Sequence, residues 1–99
     1  MRTLAKSTLR IYWEQNAAAE IPLQRWFKAT EAAEWTSFAD VRRDFPQADQ
    51  VGDRLVFNIG GNNYRLIVVV RYRDQALYIR WVGTHAEYDR LTREEIRTL

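Results

Sequence analysis

Apolar residues recur along the first half of the chain at helical spacing and along the second half in alternation. Leu4, Thr8, Ile11 and Tyr12, with Leu9 and Trp13 beside them, predict a first helix from about 3 to 16. Pro22 suits a first helical turn, and Leu23, Trp26, Phe27, Thr30 and Ala33 carry a second helix on to about Trp35. Thr36 or Ser37 then offers a cap for a short third helix that turns Phe38, Val41 and Phe45 inward and stops at Pro46. From Arg54 the period changes to two. Leu55, Phe57 and Ile59 alternate with Arg54, Val56 and Asn58, as along a strand. Gly60-Gly61-Asn62-Asn63 is turn chemistry, because both residue types tolerate positive φ. A longer strand runs from Tyr64 to Arg73, apolar on both faces at its centre, and Ala76 to Gly83 returns after a tight turn at Asp74-Gln75.

Two threonine-to-glutamate capping boxes follow, Thr84 to Glu87 and Thr92 to Glu95, each marking a helix start. The first sets His85 in an opening helical turn directly after the sheet. The pattern predicts an α+β domain: N-terminal helices on one face of a three- to four-stranded antiparallel β-meander, then a short C-terminal helix. No repeat, linker or low-complexity tract divides it, so residues 1–99 are expected to form one domain.

Composition narrows the classes. At 46% hydrophobic and 13% aromatic the chain is too apolar for disorder. Its longest apolar run, Leu66 to Val70, suits a buried strand and falls far short of a membrane span. The start of the chain lacks the apolar core of a secretory signal. Absence of cysteine removes disulfides, a thiolate nucleophile and a zinc ribbon, and a reducing cytoplasm is the simplest home. The net charge is only +2, but residues 54–85 hold Arg54, Arg65, Arg71, Arg73 and Arg80 against Asp74 alone. Arginine suits bidentate phosphate contacts and base stacking. Two readings of this patch stay open on charge alone: a surface for a polyanion, or arginines that merely solvate an exposed sheet face.

The residues able to carry chemistry are Asn58, Arg65, Arg80, His85 and Tyr88. In a meander Arg65 lies beside the end of the strand that carries Asn58, and Arg80 and His85 belong to the next strand and its exit. His85 has the one side chain here whose ordinary pKa lies near neutrality, and Tyr88 shares its helix face. RNA cleavage without a metal needs little more: a base for the 2′-hydroxyl, an acid for the departing 5′-oxygen, and cations for the transition-state charge. With one histidine, no cysteine and scattered carboxylates, no metal site is expected and no cofactor is implied. Each residue also has a plain use. His85 can be a capping residue, Arg65 and Arg80 cross-strand partners of carboxylates, Asn58 a turn residue, and Tyr88 a core ring with its hydroxyl at the surface. Trp13, Trp26 and Trp35 fall at core spacing; Trp81 reads either way.

The stretch Val56-Phe57-Asn58-Ile59-Gly60-Gly61-Asn62-Asn63-Tyr64-Arg65-Leu66 closely resembles the strand–turn–strand signature of HigB-type toxins. So does Tyr78-Ile79-Arg80 followed by Gly83-Thr84-His85-Ala86-Glu87-Tyr88-Asp89, and the segment Phe38 to Pro46 is similar too. The resemblance covers roughly residues 36–90 and implies a RelE-like fold, within a superfamily of ribosome-dependent messenger RNA endonucleases. It implies docking in the ribosomal A site, cleavage of the messenger RNA there, and silencing by a helix-turn-helix, HigA-type antitoxin, with no membrane involved. By similarity Arg65 takes the position of a transition-state-stabilising arginine. His85 stands where RelE has a second catalytic arginine, Tyr88 near its functional tyrosine, and Asn58 where RelE has a lysine. Lysine is confined to Lys6 and Lys28, so a lysine base has no counterpart on the sheet and His85 is the substitute that the resemblance suggests. Arg54, Arg71, Arg73, Lys28 and Arg25 are then expected to bind RNA, the last two against ribosomal RNA backbone. Two other readings accompany this one: a non-catalytic RNA- or ribosome-binding module, and a regulatory subunit that keeps only antitoxin binding.

Overall fold

The computed structural model describes residues Met1–Leu99. In chain order the elements are β1 (Arg2–Leu4), α1 (Lys6–Gln15), a 3-10 turn (Ala17–Ala19), α2 (Glu20–Ala32), α3 (Phe38–Asp44) and β2 (Asp49–Val51). Then follow β3 (Arg54–Ile59), β4 (Tyr64–Arg71), β5 (Ala76–Thr84), α4 (His85–Asp89) and α5 (Arg93–Arg97). The α+β class holds. The sheet is larger than the meander expected: five strands in the order β1-β5-β4-β3-β2. β3, β4 and β5 form the antiparallel meander, β2 adds to β3, and β1 pairs with β5 in parallel.

The two extra strands have three residues each, too few to display a period, so pattern reading passed over them. The helix expected from about residue 3 therefore begins later. Ala5 takes a left-handed conformation, φ 66°, which turns the chain out of β1 and into α1. β4 ends at Arg71 instead of Arg73, and Gln75 at φ 52° turns the chain back while its amide donates to the carbonyls of Trp35 and Tyr72. At α3 neither expected hydroxyl caps the helix. Ser37 sits at the cap without a side-chain bond, and Asp40 reaches back to accept from the Thr36 N–H and hydroxyl. Both later capping boxes are made as expected, Glu87 N–H to Thr84 Oγ1 and Glu95 N–H to Thr92 Oγ1 at 3.1 Å each.

Helices cover both faces of the sheet, not one. Leu55, Phe57, Ile59, Leu66, Val68, Leu77 and Ile79 meet Leu9, Leu23, Trp26, Trp35 and Val41 from α1 to α3. Phe57 is the hub, fully buried, with ring centroids of Trp26 at 5.4 Å and Phe45 at 5.1 Å. On the opposite face a smaller cluster joins Val51, Val56 and Ile67 to Ile96 of α5, with Trp81 and Tyr88 against it. This second cover explains why the centre of β4 is apolar on both sides. The opposite face is also where the polar residues gather.

A candidate anion-binding active site

The register sets Asn58 directly across from Arg65, and Arg65 across from Gly83. Residues opposite one another share a sheet face, so Arg54, Val56 and Asn58 of β3 lie on one face with Arg65, Ile67 and Arg71 of β4. The turn at Gly60 and Gly61, both with positive φ, brings Asn62 back over the start of β4. There the Arg65 guanidinium donates to the Asn62 carbonyl at 3.3 Å, the Tyr64 carbonyl at 3.0 Å and Asn62 Oδ1 at 2.6 Å. Arg65 is only 8% exposed, and every one of these acceptors is neutral. No carboxylate pairs with it. A buried cation is ordinarily matched by an anion. This one keeps its charge.

Above it stands Tyr88 of α4, its ring centroid 5.8 Å from the guanidinium carbon. Trp81 supports Tyr88 at 6.3 Å between centroids, and Trp81 in turn lies over Gly83, where an added Cβ would meet the indole at 2.5 Å. Gly83 is therefore needed for space. Burial first, and then the nearby Asp49 carboxylate, push the Tyr88 hydroxyl above the usual tyrosine range; Arg65 and Arg93 offset this in part. The phenol is thus a proton donor at neutral pH.

Arg65, Asn58 and Tyr88 line a single cleft of about 340 Å³ with Arg42, Pro46, Gln47, Ala48, Asp49 and Val56. Two smaller hollows adjoin it through Asn58. One, of about 200 Å³, lies over Phe45, Pro46 and Gly61; the other, of about 260 Å³, reaches Arg25 of α2. The remaining sequence candidates lie outside the cleft. His85 opens α4 with its N–H on the Asn63 carbonyl at 2.9 Å, while its Nε2 is 3.3 Å from Asp89 Oδ2. Arg80 is exposed at the irregularity in the β4–β5 pairing, with its guanidinium 5.9 Å from the Tyr78 ring. Arg54 and Arg71 both bond Asp53, and Arg54 also donates to the Leu99 carbonyl. Arg73 and Lys28 are exposed. No group of three or more histidine, cysteine or acidic side chains is placed to hold a metal ion.

Comparison with known proteins adds the family. The profile of the HigB toxin, described as the RelE-like toxic component of a toxin-antitoxin system, matches residues 19–91. The chain belongs to the HigB toxin family. A relative named mRNA interferase HigB, from Escherichia coli O6:H1, is 28% identical over 76 residues, 74% of each chain. The mRNA interferase toxin HigB of Escherichia coli K12 is 43% identical over 51 residues, and that match spans 48% of this chain and 49% of the relative. An mRNA interferase HigB of Shigella flexneri matches to the same extent.

Within this HigB domain the sequence reading missed three cleft residues: Arg42, Gln47 and Asp49. Arg42 lies in the last turn of α3, a few residues before Pro46, and Asp49 opens β2. The signal available was a charged residue between Pro46 and Gly52, but a strand of three residues shows no alternation from which to read its face.

Proposed function

We propose that this chain is the toxin of a toxin-antitoxin pair and an endoribonuclease that inhibits translation by cutting messenger RNA. The observation that carries the reading is the buried, un-neutralised Arg65 guanidinium beside a tyrosine hydroxyl in a polar cleft. Such a charge, fixed before substrate arrives, favours the extra negative charge of a pentacoordinate phosphorus over the ground-state phosphodiester. The names of the relatives point the same way.

In the mechanism we propose, the 2′-hydroxyl attacks the adjacent phosphorus without a metal ion, Arg65 holds the developing charge, and Tyr88 protonates the departing 5′-oxygen. Asn58 orients the phosphate across from Arg65. His85, three residues before Tyr88, passes protons between the cleft and solvent, a task suited to an imidazole, whose two ring nitrogens can take up and release a proton. Arg80 steadies the flanking backbone. The hollow that ends at Arg25 takes the neighbouring stretch of strand, and Lys28, Arg54, Arg71 and Arg73 add weaker, screened attraction to RNA.

The setting that fits is the ribosomal A site, in the cytoplasm, with a helix-turn-helix antitoxin of the HigA type as partner. No helix is long and apolar enough to cross a membrane. The test is induced expression with mapping of transcript 5′ ends, paired with cleavage of messenger RNA on programmed ribosomes by chelator-treated protein. New ends inside coding sequences and undiminished cutting after chelation are expected. Protection of A-site RNA without new ends would mark a binding module instead, and dependence on a protein-bound metal would refute the metal-free mechanism.

A further inference from the structure

The candidate cleft contains one acidic side chain, Asp49, and the roles given above leave it unused. β2 pairs Asp49 with Val56, so the carboxylate lies on the sheet face of Asn58 and Arg65. Its Oδ1 accepts the N–H of Gln50 at 2.8 Å, and no cation pairs with the group. A cleft that only gripped phosphate would gain nothing from a carboxylate, which repels it. A carboxylate beside the sugar is useful for another purpose: it can accept a proton.

Resting on the endonuclease reading above, we infer that Asp49 is the proton acceptor for the attacking 2′-hydroxyl. The 2′-oxygen loses its proton to Asp49 Oδ2 and bonds to phosphorus. The bond from phosphorus to the 5′-oxygen breaks, and that oxygen takes the proton of the Tyr88 hydroxyl. A 2′,3′-cyclic phosphate and a free 5′-hydroxyl result, and the proton on Asp49 returns to Tyr88 through water and His85. Acceptor, donor and charge stabiliser then share one cleft. The charged or titratable groups facing Asp49 are Arg42 from α3, Arg65 from β4 and Tyr88 from α4. α5, which packs on β2, carries Arg93, near Tyr88, Arg97, against Gly52, and the carboxylates Glu94 and Glu95. Within the cleft the charged or titratable groups beside Asp49 are two guanidiniums and a phenol, with no second carboxylate.

The test is single-turnover cleavage of programmed ribosomes as a function of pH for the unaltered protein and for Asp49→Asn. Asparagine keeps the oxygen that accepts from Gln50, and thermal melting checks the fold. The unaltered rate should fall toward acid pH. Asp49→Asn should cut roughly 10²–10⁴-fold more slowly without that fall, and Asp49→Glu should recover part of the rate. Asp49→Asn within threefold of the unaltered rate overturns the assignment, and so does a slower variant with the unaltered pH profile, which would mean positioning. A changed choice of cleaved codon at full rate also overturns it, because Asp49 would then be reading a base. If the unaltered protein cuts no RNA, the endonuclease reading fails along with this one.

Discussion

One face of the sheet holds two arginine sites of opposite character. At one end Arg54 and Arg71 converge on Asp53, which holds both of them, and Arg54 also ties down the carbonyl of Leu99. At the other end Arg65 is more deeply buried yet donates only to neutral oxygens, with no carboxylate paired to it. The first site spends its positive charge inside the protein and fastens the β2–β3 turn and the chain end to the sheet. The second leaves its charge available. Arginine content is therefore a poor guide to anion binding; what decides is whether a carboxylate has already taken the charge.

Removing Arg65 should have the largest effect. Arg65→Ala is expected to slow cleavage of programmed ribosomes by roughly 10²–10³-fold while antitoxin binding persists, measured by single-turnover kinetics and pull-down. An indirect disturbance of the same end comes next. Gly83→Ala forces the Trp81 indole off its place under Tyr88 and should cost about 1–3 kcal/mol of stability, read by chemical denaturation, with a drop in cleavage alongside.

At the other end the effects should be small. Asp53→Ala breaks two half-exposed pairs and should cost no more than about 1 kcal/mol. Arg54 and Arg71 hold the Asp53 carboxyl below the ordinary carboxylate range. A depressed carboxylate stabilises the fold above its unfolded pKa, and that contribution is lost as pH falls through the lower folded value. The gap in melting temperature between unaltered protein and Asp53→Ala should therefore hold at neutral pH and close below about pH 4. A gap that persisted in acid would mean that Asp53 acts through packing.

Much of this architecture was legible in the sequence because the decisive signals are local. Alternation in β3, the glycine turn and the two threonine–glutamate caps each depend on residues within a few positions of one another. The short strands β1 and β2 were not legible, since their existence depends on an open strand edge elsewhere in the chain. The two-sided apolar centre of β4 did register, and it reflects the cover given by α5 and Tyr88. At the site, Arg65, Asn58 and Tyr88 could be named beforehand, and the neighbours Asp53 of Arg54 and Asn62 of Arg65 lie within three residues of each arginine. What is not local is the second claim on Asp53 by Arg71, eighteen residues away, which strand register sets. Asp49 went unnoticed because its face is fixed only by pairing with Val56.

The contrast between the two ends can be tested by making one resemble the other. Asn62→Asp would set a carboxylate oxygen where Asn62 Oδ1 now accepts from Arg65, giving that guanidinium the kind of partner Arg54 already has. If free charge at Arg65 drives cleavage, the variant should fold at least as stably, bind antitoxin and cut messenger RNA at least about tenfold more slowly. Cleavage at the unaltered rate by a folded Asn62→Asp protein would contradict the account.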